Sequence, residues 1–508
     1  MTAASSSDRR DAVALAHAFA ADPDLGAPIP TRPIASDEFT PGRQSRLQRE
    51  FEARLKDYGD TLAHHQGLTR RRFFQTASGM AAAFLAMNDT FGPVFGVSRA
   101  EAATPEAADA RAAALAGEFV MDMHTHFLHD QTRLANFVRS REAVGRAGWN
   151  PALAGKEQTL EDLKFANYFK EVFLDSDTKM ALISGSASYE PIDWFLSNED
   201  KRDARARINQ MTGGGKRAFS HLIFTPGVPG ALERFERELA ELKPDSIKGY
   251  TIGDNTNKPM SKWPWRMDDE QLVYPYYALA QKAGIRNICV HKGLFPPATE
   301  RQFPHLLPFC KVDDVARAAK DWPQLNFVIY HSAYRAGPVA DSWAQVERTG
   351  RVEWVNDLAE IPGRHGVRNV YGDLGQIFAQ STIANPNLAA FMMGTLVKGL
   401  GADRVVWGTD AIWTGSPQWQ IEALRRLEIP EAMQRRYGFA PLGAADGPVK
   451  RAIFGDNNAR LYDVTPAQRA ALAGDRIALA RAAYEAEGTA RSNLAYGYVR
   501  RGSGDRVS

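Results

Sequence analysis

Eight short runs of apolar and β-branched residues, separated by helix-compatible stretches, constrain this 508-residue chain more than any other feature. They fall at about 119–124, 180–184, 219–224, 246–250, 287–291, 326–331, 369–373 and 404–408, with helical patterning between them, as in 230–242 and 271–283. Strands that alternate with helices point to βαβ units and a parallel sheet. Eight such units predict closure into an α/β barrel of the TIM type, (β/α)8, with its active site at the C-terminal strand ends. A doubly wound open sheet is the rival. Such sheets carry a glycine-rich phosphate turn after the first strand, and here Asp122-Met123-His124-Thr125-His126 stands in that place. The barrel is the better fit.

The strand ends carry the chemistry. Side chains alternate along a strand, so His124 and His126 share a face and are able to grip one ion. A lone His-x-His pair is as often an accident as a ligand pair, but the pattern repeats. Asn287-Ile288-Cys289-Val290 runs into His291, Asn326 to Tyr330 into His331, and Val405 to Thr409 into Asp410. Histidine is only 11 of 508 residues, so its recurrence at the ends of apolar runs predicts ligands gathered at one mouth. Imidazole and carboxylate ligands suit a divalent metal, zinc first, with manganese or iron at a more open site. His331 is equally suited to polarise a substrate carbonyl or transfer a proton. Asp122, with the same strand parity, is expected to orient neighbouring backbone or imidazole groups.

With 44% hydrophobic and 24% charged residues the chain has material for a large core. Its 62 basic and 60 acidic residues give no electrostatic case for nucleic acid or a membrane surface. No stretch reaches the roughly eighteen apolar residues of a membrane span. The expected partner is a small-molecule substrate, with a homo-oligomer left open. Cys289 and Cys310 are the only cysteines, and a free core thiol fits better than a disulfide.

The first hundred residues read differently. Residues 1–68 form a polar extension, expected to pack poorly, in which Ser45 to Tyr58 could make one charged helix. Residues 69–103 hold Thr69-Arg70-Arg71-Arg72-Phe73-Phe74-Gln75, the weakly apolar Gly79 to Met87, and Ala100-Glu101-Ala102. This resembles a twin-arginine export signal and predicts a periplasmic location. Against it, the arginines lie far from Met1 and Asn88-Asp89 cuts the apolar stretch. The alternative is a helix packed on the barrel of a cytoplasmic protein. Residues 104–465 hold the barrel, and 466–508 a helical tail.

As a set, Asp122-Met123-His124-Thr125-His126, Val290-His291-Lys292-Gly293, Tyr330-His331-Ser332 and Gly408-Thr409-Asp410 resemble the amidohydrolase superfamily. The nearest branch is the amidohydrolase-related one that includes aminocarboxymuconate-semialdehyde decarboxylase. Ile453 to Tyr462 is similar to that branch's closing helix, and the resemblance spans roughly residues 118 to 465. It implies a distorted (β/α)8 barrel and a divalent metal held by His124, His126, His291 and Asp410. It also implies that His331 is the catalytic histidine. Lys248 ends the fourth run, where dinuclear members use a bridging lysine, and Asp373 ends the seventh. Both are candidates for extra ligands, and Lys248 also for a salt-bridged or substrate-facing amine.

One fold and one metal set serve several reactions. The leading expectation is hydrolysis of an amide, ester or lactone carbonyl, with Asp410 moving the proton and His331 stabilising the oxyanion. The alternative is non-oxidative decarboxylation of a small aromatic or unsaturated acid. Behind these stand dinuclear oxygen chemistry and a non-catalytic metal-binding subunit. Arg266 and Arg335 are candidates to bind a substrate carboxylate, and Tyr250, Trp263 and Trp413 to line its pocket. The loop from Asn255 to Asp269 is either a lid or a seal on the barrel rim.

Overall fold

The structure, a computed structural model, describes residues 27–32, 42–155, 157–186 and 188–488. Residues 1–26 and 33–41 of the N-terminal extension, and 489–508 of the C-terminal tail, lie outside the described residues. Eight strands follow one another in a single sheet: β1 Val120–Thr125, β2 Thr178–Ile183, β3 Ala218–Ile223, β4 Ser246–Tyr250, β5 Asn287–His291, β6 Asn326–Tyr330, β7 Val370–Asp373 and β8 Val405–Val406. Every neighbouring pair is parallel. The expected runs match these strands to within about two residues at most ends. Their near-continuous apolar character is what strands buried on both faces require.

Closure is irregular at one seam. β8 is only two residues long, and the bonds to β1 are individual: Met123 N–H donates to Trp407 O (3.1 Å) and Asp410 N–H to His124 O (2.8 Å). One isolated parallel bridge joins Thr125 to Ala411. The seam therefore sets Asp410 directly beside His124. Met121, Met123, Met180, Leu182, Phe219 and Val328 belong to one buried apolar cluster, and both cysteines are free and buried.

The described part of the extension is well packed, which corrects the expectation of a loose segment. Arg46–His65 is a helix opened by a capping box between Ser45 and Gln48. Its Phe51 and Leu55, four apart and on one face, are each 1% exposed. This helix approaches the next segment closely: a Cβ added at Gly59 would lie 2.3 Å from the ring of Phe74. Residues 69–103 form the helices Arg70–Phe73, Ala77–Phe91 and Arg99–Ala103. Phe73, Phe74, Phe84 and Leu85 are buried in one cluster with Trp407 and Phe454 of the barrel. Asn88, which interrupts the apolar stretch, turns the chain: its Oδ1 accepts from Val94 N–H and Phe95 N–H. Beyond that turn Gly96 N–H donates to Arg426 O (2.7 Å) and Glu428 N–H to Val94 O (2.8 Å). No helix among the described residues is long and apolar enough to cross a membrane.

Candidate active site at the C-terminal barrel mouth

His124 and His126 leave β1 on one face, and their Nε2 atoms stand 3.0 Å apart. Asp410, just past β8, brings Oδ1 to 3.2 Å from His124 Nε2 and 3.3 Å from His126 Nε2. His331, just past β6, has its ring 4.9 Å from that of His124 and 4.7 Å from that of His291. The structure thus brings together the four strand-end histidines and Asp410, all of them buried.

Asp373, at the end of β7, organises the group. Its Oδ2 accepts from His331 N–H (3.2 Å) and Gly375 N–H (3.0 Å), and it lies 2.9 Å from His124 Nδ1. An oxygen already accepting two N–H groups serves the imidazole as an acceptor as well. His124 therefore carries its proton on Nδ1 and turns a bare Nε2 toward His126 and Asp410. Burial holds His124 well below the usual imidazole pKa, which keeps it neutral. Burial also pushes Asp373 up to about 7, with the His331 and Gly375 N–H groups acting against it. Two glycines make the approach possible. A Cβ on Gly375 would fall 2.3 Å from His124 Nδ1, and one on Gly408 2.7 Å from His124 Cβ.

His331 is fixed from two sides. Its Nδ1 lies 2.9 Å from Gly375 O, a group that only accepts, so Nδ1 carries hydrogen and Nε2 is the nitrogen left for chemistry. His331, Ser332 and Ala333 all have positive φ (58°, 42° and 56°), a strained path for residues with a Cβ. The Ser332 hydroxyl, donating to Asp373 O at 2.7 Å, helps to hold it. Asp122 has the orienting part expected of it, accepting from His124 N–H (3.0 Å), Thr409 N–H (3.1 Å) and the Thr409 hydroxyl.

Around this centre Tyr250 stacks on His291 (4.7 Å between rings) and Trp413 on His126 (5.5 Å). The Lys248 ammonium donates to Ser184 Oγ (2.8 Å) and lies 4.4 Å from the Tyr330 ring and 5.0 Å from that of Tyr250. Trp263 packs edge-on against Tyr189. In the same loop Trp265 is buried against Phe224 and beneath Gly249, so that this part of the loop seals the barrel. Both candidate arginines pair with protein carboxylates. Arg266 is held by Asp268 and Asp313, each at 2.9 Å, and Arg335 by Glu353 (2.6 Å) and Glu300.

Sequence reasoning missed three participants. Gly375 contributes a carbonyl and Ser184 a hydroxyl, and neither residue type carries a signal of such a role. Tyr330 lies 4.1 Å from the His124 ring and donates its hydroxyl to Met123 O. Its place beside His331 was the available clue.

A family model described as Amidohydrolase matches residues 121–464. No curated protein matches the chain. Among solved structures, an uncharacterized TIM-barrel protein of Bordetella bronchiseptica is 15% identical, covering 69% of this chain and 99% of that one with a TM-score of 0.41. The 5-carboxyvanillate decarboxylase of Sphingomonas paucimobilis is also 15% identical, covering 68% and 99% with a TM-score of 0.40. A dihydroxybenzoic acid decarboxylase of Polaromonas, solved with manganese and the inhibitor 2-nitroresorcinol, is 15% identical, covering 69% and 99% with a TM-score of 0.38. At such identities none of these activities transfers to this chain.

Proposed function

The chain belongs to the amidohydrolase family, and from that premise we propose that it is a metal-dependent hydrolase of a small amide, ester or lactone. One observation carries the metal. The bare Nε2 of neutral His124 faces a carboxylate oxygen at 3.2 Å and a second imidazole nitrogen at 3.0 Å. Lone pairs gathered in this way repel unless a cation lies between them, so the donor set fits a divalent ion, zinc first and manganese or iron next. His124, His126 and Asp410 would hold it, with His291 as the fourth ligand. When bound, such an ion supplies Lewis acidity at the barrel mouth.

The protein's own groups supply the rest. Asp410 takes a proton from the attacking water and delivers it to the leaving group. His331, whose Nδ1–H is already given to Gly375 O, meets the substrate only through Nε2. Protonated there, it donates to the oxyanion that develops on the carbonyl. Tyr250 and Trp413 wall the pocket, and Asp373 positions His124 and His331 without touching substrate.

Decarboxylation is the second reading, and one residue favours it. Lys248 is a buried cation next to Tyr330 and Tyr250, suited to a substrate carboxylate. Metal analysis followed by parallel assays separates the two, with hydrolysis measured on amides and lactones and carbon dioxide release on aromatic and unsaturated acids. Hydrolytic turnover without carbon dioxide release is expected. Release with no hydrolysis would move the assignment to the second reading. For residues 69–103, the burial of Phe73 and Phe84 supports a retained arm over a cleaved export signal.

A further inference from the structure

A cavity of about 1120 Å³ lies at the other end of the barrel. Phe119, Thr178 and Arg217, at the N-terminal ends of β1, β2 and β3, form part of its lining. The N-terminal arm supplies another wall through residues such as Phe74 and Met80, and the helix Arg476–Ala486 a third. It is partly open to solvent, and its volume is at the upper end of small-molecule pockets. It is remote from the chemistry, because barrel active sites occupy the C-terminal face.

The lining has two characters. Phe74, Met80, Phe173, Trp419 and Ile477 give it apolar surface. Six arginines give it positive charge, and each is paired with a protein carboxylate: Arg111 with Glu422, Arg217 with Asp475, Arg425 with Glu118, Asp177 and Glu422, Arg426 with Glu101, Arg469 with Asp456 and Arg481 with Asp177. Lys179 is the exception. It lines the same cavity, and its ammonium has no hydrogen bond or ion pair to any described residue. Burial first, and then the nearby Arg481, hold its pKa down to about 8. Asp177 acts in the opposite direction from nearby but bonds Arg425 and Arg481 directly, so no carboxylate is bonded to the Lys179 ammonium itself.

We propose that this cavity is a second ligand site, specific for an amphiphilic organic monoanion with its carboxylate on Lys179 and its apolar body along the aromatic and aliphatic wall. One uncommitted cation calls for one negative charge, whereas a phosphate dianion would need a second. Because arm and barrel both contribute to the wall, the ligand fastens one to the other, and its binding raises the stability of the whole chain by mass action.

Dodecanoate is the probe, titrated calorimetrically into the full-length protein below its micellar range. The expected result is one saturable site per chain and a Tm that rises with dodecanoate concentration. Lys179→Met should weaken binding at least tenfold, with catalytic activity and circular dichroism unchanged, while Lys179→Arg should keep the affinity within a few-fold. The absence of saturable binding, or equal affinity in Lys179→Met and the unaltered protein, overturns the site. Binding that disappears in Asp410→Asn with Lys179 intact also overturns it, because the probe would then occupy the catalytic mouth.

Discussion

Asp373 shows how much one buried carboxylate decides. Its Oδ2 fixes the tautomer of His124 and anchors the backbone of His331, so it touches both the proposed ligand set and the proposed oxyanion donor. Asp373→Ala should lower metal affinity by about 10–100-fold, the usual cost of removing a partner behind a metal-ligating histidine. Competition titration against a chelator measures it, and unchanged affinity would mean that the carboxylate only braces the backbone. The ligands themselves should behave differently. His124→Ala or Asp410→Asn is expected to lose metal and activity together while circular dichroism stays native, and full metal retention in both would sink the assignment. His331→Ala is expected to keep its metal and lose about two to four orders of magnitude in turnover. An emptied site in that variant would make His331 a ligand.

Among the elements, the N-terminal arm departs most from its sequence. A twin arginine followed by a weakly apolar stretch resembles a signal, yet the helix Ala77–Phe91 buries Phe84 fully, with its ring 4.8 Å from that of Phe95. Nothing in the local pattern distinguishes an apolar face destined for a translocase from one destined for a barrel. What folding adds is Arg426 and Glu428, more than 300 residues away, whose backbone groups bond the returning chain. A retained arm predicts an intact N-terminal region by mass spectrometry of native protein, and Arg70→Lys with Arg71→Lys should then leave its location unchanged. A mature chain starting near Ala103 would restore the export reading. Phe84→Ala should cost about 3–5 kcal/mol, as for other buried aromatic truncations. A near-neutral result in chemical denaturation would show the arm to be detachable.

For the molecule as a whole, acid is the expected weak point. Burial alone would raise the pKa of Asp177, but Arg425 and Arg481 outweigh it and hold the group below the usual carboxylate range. A folded-state pKa depressed in this way contributes stability above the unfolded value of about 4, and that contribution is lost as pH falls below it. Asp177 ties the start of β2 to the helix Gln418–Arg426 and, through Arg481, to the helix Arg476–Ala486. Asp177→Asn should therefore cost about 2 kcal/mol at neutral pH and flatten the fall of Tm below about pH 4. A variant whose Tm falls as steeply as that of the unaltered chain would place the acid sensitivity elsewhere.

The barrel and the residues at its mouth were legible in the chain's local pattern. Strand periodicity is local, and parallel strands buried on both faces must be apolar along their length, so all eight could be marked and their terminal histidines and Asp410 picked out. It also singled out Asp373 and Lys248, though not what each would touch. The partners of these side chains came from folding. Arg266 and Arg335 could be marked as candidate anion binders, but only folding brought Asp268, Asp313, Glu300 and Glu353 to them. The His124 tautomer likewise depends on a carboxylate 249 residues away and on the glycines that leave room for it. Hydrogen bonds and ion pairs are satisfied by whatever the closed barrel sets within about 3 Å, and that neighbourhood is set by the fold and not by chain order.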